Sequence, residues 1–298
     1  MVFTILSPGN IFVEKVVLGT LLRLMPELAI VTIGMGVLMI AGEFDLSVGG
    51  ELAFCSMVAA VVFTKLGLHP IISLFVALAF GAGLGVFNGL IVTKLHISSL
   101  IATLGTMYVF SGLVSALTGG YNITYRPETV SPAFQSALIG SIGPIPVQIF
   151  WLIGIAILLY TLVDYTKLGN WIYATGSNKE SARMMGINTD RVKIICFVIV
   201  GVLSAFTGVM QSTRIRGSFP VQGTGLNLEA IAGTVVGGIS INGGAGSVWG
   251  SLAGAIIIRV LQSGLITIGV SAFYFRVALG LMIVAAVTFN LYLTKLRR

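Results

Sequence analysis

The chain has 298 residues, of which 56% are apolar and only 9% are charged, and it carries a formal net charge of +7 at pH 7. Soluble domains have about 25% charged residues, so this composition excludes an ordinary soluble protein and predicts one that lies in a membrane. The basic residues stand mostly at the ends of apolar runs rather than along one stripe. They therefore indicate membrane topology, and no nucleic-acid partner is expected.

Nine apolar segments follow one another along the chain. A helix needs about 20 apolar residues to cross a bilayer, and broken or re-entrant elements need fewer. Because the runs are continuous and do not alternate with polar residues, we predict an all-α, polytopic transmembrane bundle of nine or ten membrane segments rather than a β-barrel. We expect a single transmembrane domain over 1–298. Its nine apolar segments are 16–42, 48–64, 70–93, 99–118, 145–163, 194–211, 226–241, 246–268 and 272–294. The second and the seventh are short for a full crossing.

The first interruption is AGEFDLSVGGEL at 41–52, which places Glu43, Asp45, Ser47 and two glycines between apolar segments. Asp45 or Ser47 can accept backbone N–H bonds as the N-cap of the next helix, and the glycines permit close approach of another backbone. A capped turn at the membrane face is one interpretation. The other is a broken helix whose acidic group borders a polar translocation path, because ionisable residues within a membrane usually serve a function.

Glycines recur at every fourth position in two of the segments. Small residues at this spacing let two membrane helices approach closely, so we predict helix packing, with a solute path as the alternative. The two stripes are Gly81, Gly85 and Gly89, and Gly246, Gly250 and Gly254.

The distribution of basic residues predicts the orientation, because Lys and Arg favour the cytoplasmic side in short loops. We place the basic stretch at 164–193 and the C-terminal Lys295, Arg297 and Arg298 on the cytoplasmic side, which puts the polar loop at 119–144 outside. Nine crossings then leave the N-terminus outside, and we expect one further helix to precede this chain.

The most charged part of the chain is GSNKESARMMGINTDRVK, at 176–193. The residues before Gly186 favour a helix, which the glycine is suited to end. On it, Ala182, Met185 and Ile187 can form a small apolar patch ringed by basic residues. Such a surface suits docking into a groove of a soluble partner, and an ordinary basic cytoplasmic loop is the alternative.

Four charged residues, Glu27, Glu229, Arg259 and Arg276, lie within or beside apolar segments. Charges in such places need partners or water. We expect pairing between helices, with contact to a polar solute as the alternative, and spacing does not indicate which acid meets which base.

Enzymatic signatures are missing from the sequence, which has no GxxxxGK[ST] phosphate-binding loop, no HExxH and no GxSxG motif. ATP binding and hydrolase chemistry by this chain are therefore not expected. Cys55 and Cys196 lie inside apolar segments and are predicted to pack, and the two histidines are isolated. We expect no cofactor and no metal in this chain, and any energy source must come from an ion gradient or from another subunit, because the phosphate-binding loop is absent.

Five stretches carry a resemblance over nearly the whole chain: GEFDLSVGGELA, NGLIVTKLHISSLIATLGTMYVFSGL, GNWIYATGSNKESARMMGI, EAIAGTVVGGISINGGAGSVWGSLAGA and LGLMIVAAV. In this order they resemble the membrane permeases of ATP-binding-cassette importers, in particular the ribose, xylose and arabinose branch. The resemblance implies a subunit of the cytoplasmic (inner) membrane that carries a monosaccharide or similar small polar solute inward and lacks its own ATPase. It also implies a second permease copy, an extracytoplasmic solute-binding protein, and an ATPase subunit that binds ATP and Mg²⁺.

The resemblance also implies roles for particular residues. In this family a Glu-x-Ala-x-x-x-Gly loop rests on the ATPase, which assigns coupling to Glu180, Ser181, Ala182, Arg183, Met185 and Gly186. The Asp-Leu-Ser-Val-Gly and Thr-Leu-Gly-Thr motifs are also present. Together with Asn88 they suggest a translocation pathway at Asp45, Ser47, Asn88, Thr103 and Thr106.

Some positions depart from the family pattern, among them Ser181, where a first alanine is usual, and Ser111, where an arginine is frequent. These departures leave the identity of the sugar open. A permease of the same architecture for a sugar-like signal molecule, a polyol or a nucleoside is the nearest alternative. An ion-coupled secondary transporter and a membrane-embedded enzyme are the alternatives from other classes.

Overall fold

The computed structural model describes residues 12, 14–125 and 131–296, with side chains omitted at 272 and 289–296. Within these residues the chain forms twelve α-helices and two short two-stranded sheets. The helices are α1 (Lys15–Ile40), α2 (Val48–Thr64), α3 (Pro70–Lys94), α4 (Ser99–Thr118), α5 (Pro132–Ile139), α6 (Val147–Tyr165), α7 (Lys167–Ser177), α8 (Lys179–Met184), α9 (Thr189–Ile215), α10 (Leu226–Val236), α11 (Val248–Thr267) and α12 (Ala272–Leu296). The antiparallel pairs join β1 (Ile123–Thr124) to β4 (Gly217–Ser218), and β2 (Ser141–Ile142) to β3 (Ile145–Pro146).

Six helices of the described part are long and apolar enough to cross a membrane, namely α1, α3, α4, α6, α9 and α11. The apolar helices α2 and α10 are shorter, as is the stretch Phe273–Thr288 of α12. Each of the nine predicted segments corresponds to one of these helices, and the second and seventh are short. The predicted polytopic helical bundle is therefore confirmed.

Helix α9 is the central element of the bundle. Its most apolar 18-residue window is 72% buried, against 28% for α3, α4, α6 and α11. The α3 glycines Gly81, Gly85 and Gly89 lie against the α9 backbone between Ile194 and Gly201, where an added Cβ would collide. The structure thus places this stripe in the α3–α9 contact, because only glycine lets the two backbones approach so closely.

The second glycine stripe divides between a helix contact and a loop. Gly250 and Gly254 of α11 lie against the backbones of Gly237 and Gly233, at the end of α10. Gly246 precedes α11 and has a φ of +147°, which side chains rarely adopt. Two of the three glycines therefore bring α10 and α11 together, and the third shapes the turn between them.

The two polar loops lie at opposite ends of the bundle. Helix α9 starts at Thr189, inside the basic stretch 164–193, and ends beside β4, which pairs with β1 of the loop 119–144. Both loops contain structure of their own, α7 and α8 in the first and α5 with β1 and β2 in the second, and β3 follows the second loop directly. Of the C-terminal basic residues, Arg297 and Arg298 lie outside the described residues, and so does the side chain of Lys295.

Both short helices begin inside the bundle. After β4 the chain turns back inward, and the Gln222 amide donates to the Gly208 carbonyl of α9 at 3.3 Å. Gly223 then lies against Gly49 at the start of α2, and α10 begins three residues later. Interrupted helices are tolerated in a membrane where the freed backbone groups are buried in protein or line a polar cavity.

Charged side chains pair between helices at two places in the membrane segments. Glu27 of α1 accepts bonds from Arg214 of α9 at 2.6 and 3.0 Å. Arg259 of α11 lies 3.8 Å from Glu229 of α10. Arg276 has no ion pair within the described part of the chain, and it lines a cavity instead. Pairing therefore accounts for three of the four charges that the sequence singled out.

Candidate functional site

A cavity of about 830 Å³ lies among α2, α4, α10, α11, α12 and the turn at 220–225. Its volume falls in the range of roughly 300–1,000 Å³ that is typical of small-molecule sites. The polar part of its lining includes Tyr108, Ser111, Gln222, Asn227, Glu229 and Gln262. Hydroxyl, amide and carboxylate groups of this kind can donate to and accept from a polar solute.

One boundary of the cavity is a contact between two backbones. Gly49 and Gly223 both line the cavity, and a Cβ added to Gly223 would lie 2.6 Å from the carbonyl oxygen of Gly49. Gly223 also has a φ of +77°, which favours glycine. We call this contact the floor, because the start of α2 and the turn before α10 meet there without a side chain between them.

The opposing wall is formed by α10 and α11. Glu229 lies in the first turn of α10, and its Oε2 is 3.8 Å from Nη2 of Arg259 on α11. Arg259 Nη1 also donates to Gln262 Oε1, one turn further along the same helix. Glu229 and Gln262 line the cavity, whereas Arg259 does not. Arg259 and Gln262 also line a second cavity, of about 350 Å³, between α1 and α11. A partly buried arginine thus contacts two polar groups of the cavity wall.

A buried polar cluster lies beside the floor. Asp45 Oδ1 accepts bonds from the backbone N–H and the hydroxyl of Ser47 at 2.7 and 2.6 Å. The Asn88 amide of α3 donates to Ser47 Oγ at 2.8 Å and to Glu51 Oε1 at 3.1 Å. All four residues are fully buried. We name these four residues the polar tether, because they join the linker 41–47 and the start of α2 to α3.

The two threonines of the predicted pathway serve the same linker. Thr103 accepts the backbone N–H of Leu46 at 2.9 Å, and its hydroxyl donates to the Ser99 carbonyl at 2.7 Å. Thr106 donates to the Thr103 carbonyl at 3.3 Å. None of the five predicted pathway residues lines the cavity. In this conformation they hold the backbone next to it, and their contact with a solute stays a prediction.

Several site residues escaped the sequence analysis. Glu51 follows Ser47, the N-cap residue of α2, by four positions. Residues at this spacing share a helix face, so the sequence could have indicated that Glu51 belongs to the tether. Gln262 follows Arg259 by three positions, so helical spacing could likewise have indicated that the two side chains are neighbours. Tyr108 and Asn227 lie on α4 and α10, and no spacing within one helix relates them to each other or to the cavity.

The predicted coupling segment forms a short capped helix. The Asn178 side chain accepts the Ser181 N–H at 3.0 Å to begin α8, and Gly186 follows the helix with a φ of +82°. Arg183 donates to Asp190 at 2.7 Å, which anchors α8 to the first turn of α9. Burial lowers the pKa of Lys179 at the start of α8, and the nearby Lys193 and Arg183 lower it further.

The exposed apolar residues of α8 differ from the predicted patch. Met184 and Met185 are 82% and 75% exposed, whereas Ala182 is 2% exposed and Ile187 is partly buried against the core. The predicted patch of Ala182, Met185 and Ile187 is therefore wrong in two of its members. Ala182 lies on the side of α8 that packs against the bundle, whereas Met184 lies on the exposed side. Glu180 is also exposed.

Comparisons with known proteins give a consistent result. The family model described as branched-chain amino acid transport system / permease component matches residues 17–287. The ribose import permease protein of Bacillus subtilis is 36% identical over 96% of this chain and 88% of its own length. The xylose/arabinose import permease protein of Sulfolobus acidocaldarius is 34% identical over 92% and 77%, respectively. The autoinducer 2 import system permease protein of Yersinia enterocolitica is 34% identical over 88% and 72%. No solved structure gives a significant match.

Proposed function

This chain belongs to the branched-chain amino acid transport system / permease component family, and we propose that it is the membrane subunit of an ATP-driven importer for a monosaccharide. Its relatives include import permeases for ribose and for xylose and arabinose. The observation that carries the proposal is the cavity of about 830 Å³, lined by hydroxyl, amide, carboxylate and guanidinium groups. A sugar offers many hydroxyl groups, and such a lining can bind them without a net charge on the solute.

The chain acts with other subunits in this proposal. An ATPase subunit binds ATP and Mg²⁺ and receives α8, and Glu180, Ser181, Ala182, Arg183, Met185 and Gly186 form or shape the docking surface. Exposed Met184 and Met185 support it, since exposed apolar side chains on a capped helix suit a groove of a soluble partner. A second permease copy covers the open side of the cavity, and an extracytoplasmic binding protein delivers the sugar at the end that holds β1 and β4.

A continuous series of contacts links α8 to the cavity floor. Arg183 anchors α8 to α9, and Lys193 of α9 pairs with Glu43 in the linker 41–47. At the end of α1, the Ile40 carbonyl accepts the Gly244 N–H at 2.9 Å, close to Gly176 of α7. The polar tether then joins this linker to α2, which begins next to the floor.

Movement of the ATPase subunits can therefore reach the cavity through packed elements. Closure of the ATPases around ATP displaces α8, and the linker 41–47 and the start of α2 follow because polar contacts join them. Packed helices switch between discrete arrangements rather than deform continuously. In our proposal, separation of Gly49 from Gly223 opens the floor and lets the sugar leave toward the cytoplasm. The C-terminus lies on the cytoplasmic side with α8.

Reconstitution into liposomes tests this function. We expect uptake of D-ribose, D-xylose or L-arabinose to require the cognate ATPase, the binding protein and ATP on the side of α8. Uptake that a sodium or proton gradient drives without the ATPase would contradict the proposal and favour a secondary transporter. Liposomes that contain the ATPase alone are the control for leakage.

A second candidate solute has a specific observation in its favour. The autoinducer 2 import system permease protein is as similar to this chain as the xylose/arabinose relative, at 34% identity. A sugar-like signal molecule is therefore the alternative cargo for the same cavity. Competition between autoinducer 2 and the three pentoses in the uptake assay separates the two, since the preferred cargo suppresses uptake of the other.

A further inference from the structure

Arg259 contacts the cavity wall but lines the second cavity, between α1 and α11. It contacts two residues that line the cavity, Glu229 at 3.8 Å and Gln262 through a hydrogen bond, but it does not line the cavity itself. Its side chain is only 15% exposed, and its Nε is buried without a hydrogen-bond partner. A buried cation is costly unless it is paired, so the contact with Glu229 compensates for its burial.

The donors of the Arg259 guanidinium determine which atoms of Glu229 and Gln262 contact the arginine. Arginine carries only donors, in a planar arrangement. Gln262 must therefore turn its amide oxygen toward Arg259, which leaves its NH₂ group free to donate elsewhere. The Glu229 carboxylate lies 3.8 Å from Arg259 Nη2 and makes no hydrogen bond within the described part of the chain, so its oxygens are free to accept. One arginine thus presents a donor and an acceptor side by side.

We propose that Arg259 is a positioning residue that orients Gln262 as the donor and Glu229 as the acceptor for neighbouring hydroxyl groups of the transported solute. This inference rests on the proposed function of the cavity. An adjacent donor and acceptor match a pair of hydroxyl groups on neighbouring carbons, each of which can donate and accept. The arrangement therefore selects solutes with vicinal hydroxyls, such as pentoses, over analogues that lack one of them.

A second ion pair in the same bundle provides a matched comparison. Arg214 and Glu27 also join two helices, and their contact is bidentate at 2.6 and 3.0 Å. Neither residue lines the cavity. A lysine at position 214 or at position 259 keeps the positive charge but loses the planar fork. The two substitutions therefore separate helix pairing from orientation of cavity groups.

The experiment uses the complete complex in liposomes, with the same binding protein throughout. Uptake rates are measured for D-ribose, D-xylose and L-arabinose and for their monodeoxy derivatives, and each rate for a parent sugar is divided by that for its derivative. We expect Arg259→Lys to lower this ratio about fivefold, because one oriented hydrogen bond is lost. The ratio compared is that of the monodeoxy derivative for which the wild-type complex gives the highest value. Arg214→Lys changes both rates by the same factor and leaves the ratio unchanged.

A second variant covers the case in which Arg259→Lys fails to assemble. Gln262→Met removes the amide donor while keeping a side chain of similar length, and it leaves the Arg259–Glu229 pair intact. We expect the same fall in the ratio. An unchanged ratio in Gln262→Met, or an equal loss of both rates in Arg259→Lys, overturns the positioning role while leaving the transport function in place. Absence of any ATP-dependent uptake by the wild-type complex overturns the proposed function and this inference together.

Discussion

The polar tether and the cavity wall are two polar groups of residues within an apolar bundle, and they differ in what their polar atoms contact. In the tether, Asp45, Ser47 and Asn88 are fully buried and bond to one another, and Glu51 Oε2 and Asn88 Oδ1 are its only buried atoms without a partner within the described residues. In the wall, Glu229 and Gln262 contact one arginine, line the cavity, and keep side-chain polar groups without a hydrogen bond within the described residues. A buried polar group left without a partner costs far more than one exposed to a polar cavity. The tether is therefore organised to hold the backbone, and the wall to receive a solute.

The largest expected effect comes from breaking the tether. Asp45→Ala removes the acceptor of the Ser47 N–H, the nearer acceptor of the Ser47 hydroxyl, which keeps only Glu51 Oε1 at 3.3 Å, and one Asn88 contact. We therefore expect a loss of about 3 kcal/mol in the free energy of unfolding. Thermal unfolding of the purified protein in detergent measures it. Ser111→Ala is the control from the cavity, since the Ser111 hydroxyl makes no hydrogen bond within the described residues, and we expect a change within about 0.5 kcal/mol. Equal stability of the two variants would contradict the distinction between tether and wall.

The next effect concerns the floor that lies between the two regions. Gly223→Ala brings a Cβ to within 2.6 Å of the Gly49 carbonyl oxygen, whereas Gly225→Ala meets nothing within 4 Å. Both glycines have a positive φ, +77° and +86°, so backbone strain is similar in the two variants. We expect Gly223→Ala to cost about 2 kcal/mol more than Gly225→Ala through the collision, as measured by thermal unfolding. If Gly223→Ala cost no more stability than Gly225→Ala, the backbones at the floor would be able to move apart without loss of packing.

A smaller effect on stability, with a large effect on transport, is expected at the end of α8. Gly186 has a φ of +82° with open space around it, so Gly186→Leu strains the backbone by about 1 kcal/mol without a collision. We expect ATP hydrolysis by the complex to continue while sugar uptake falls, because α8 no longer transmits movement. Glu180→Leu, at an exposed site of the same helix, should uncouple the two activities as well. Transport at the wild-type rate in both variants would contradict the coupling role.

The smallest effect on the fold is expected at the exposed methionines. Met184 is 82% exposed, so Met184→Ser should change stability by no more than about 0.5 kcal/mol. Its affinity for the ATPase should fall about tenfold, since the apolar side chain is buried on docking in our proposal. Binding of the ATPase to the permease in detergent micelles measures this. Met184→Leu keeps the apolar area and serves as the control. If Met184→Leu lost as much affinity for the ATPase as Met184→Ser, the result would argue against docking at this surface.

The sequence predicted the helical bundle well because composition and run length act locally. Nine apolar segments became nine helices of the expected order, and the short second and seventh segments became the interrupted helices α2 and α10. The interruption at Asp45 and the short helix before Gly186 were also visible, since caps and glycine ends depend on adjacent residues. The exposed face of α8 was predicted less well, because the side of a six-residue helix that packs against the bundle depends on its neighbours.

The candidate site was decided by tertiary structure. Asn88 meets Ser47 from a position 41 residues away, and Arg214 meets Glu27 from a position 187 residues away. Helical spacing relates residues only within one helix, so it could not indicate that α4, α10, α11 and α12 share a cavity. The sequence by itself determined that the chain crosses a membrane and at which residues its helices end. Only packing between helices decided which polar groups are used to hold the backbone and which remain free to bind a solute, because that choice depends on whether a partner from a distant segment reaches them.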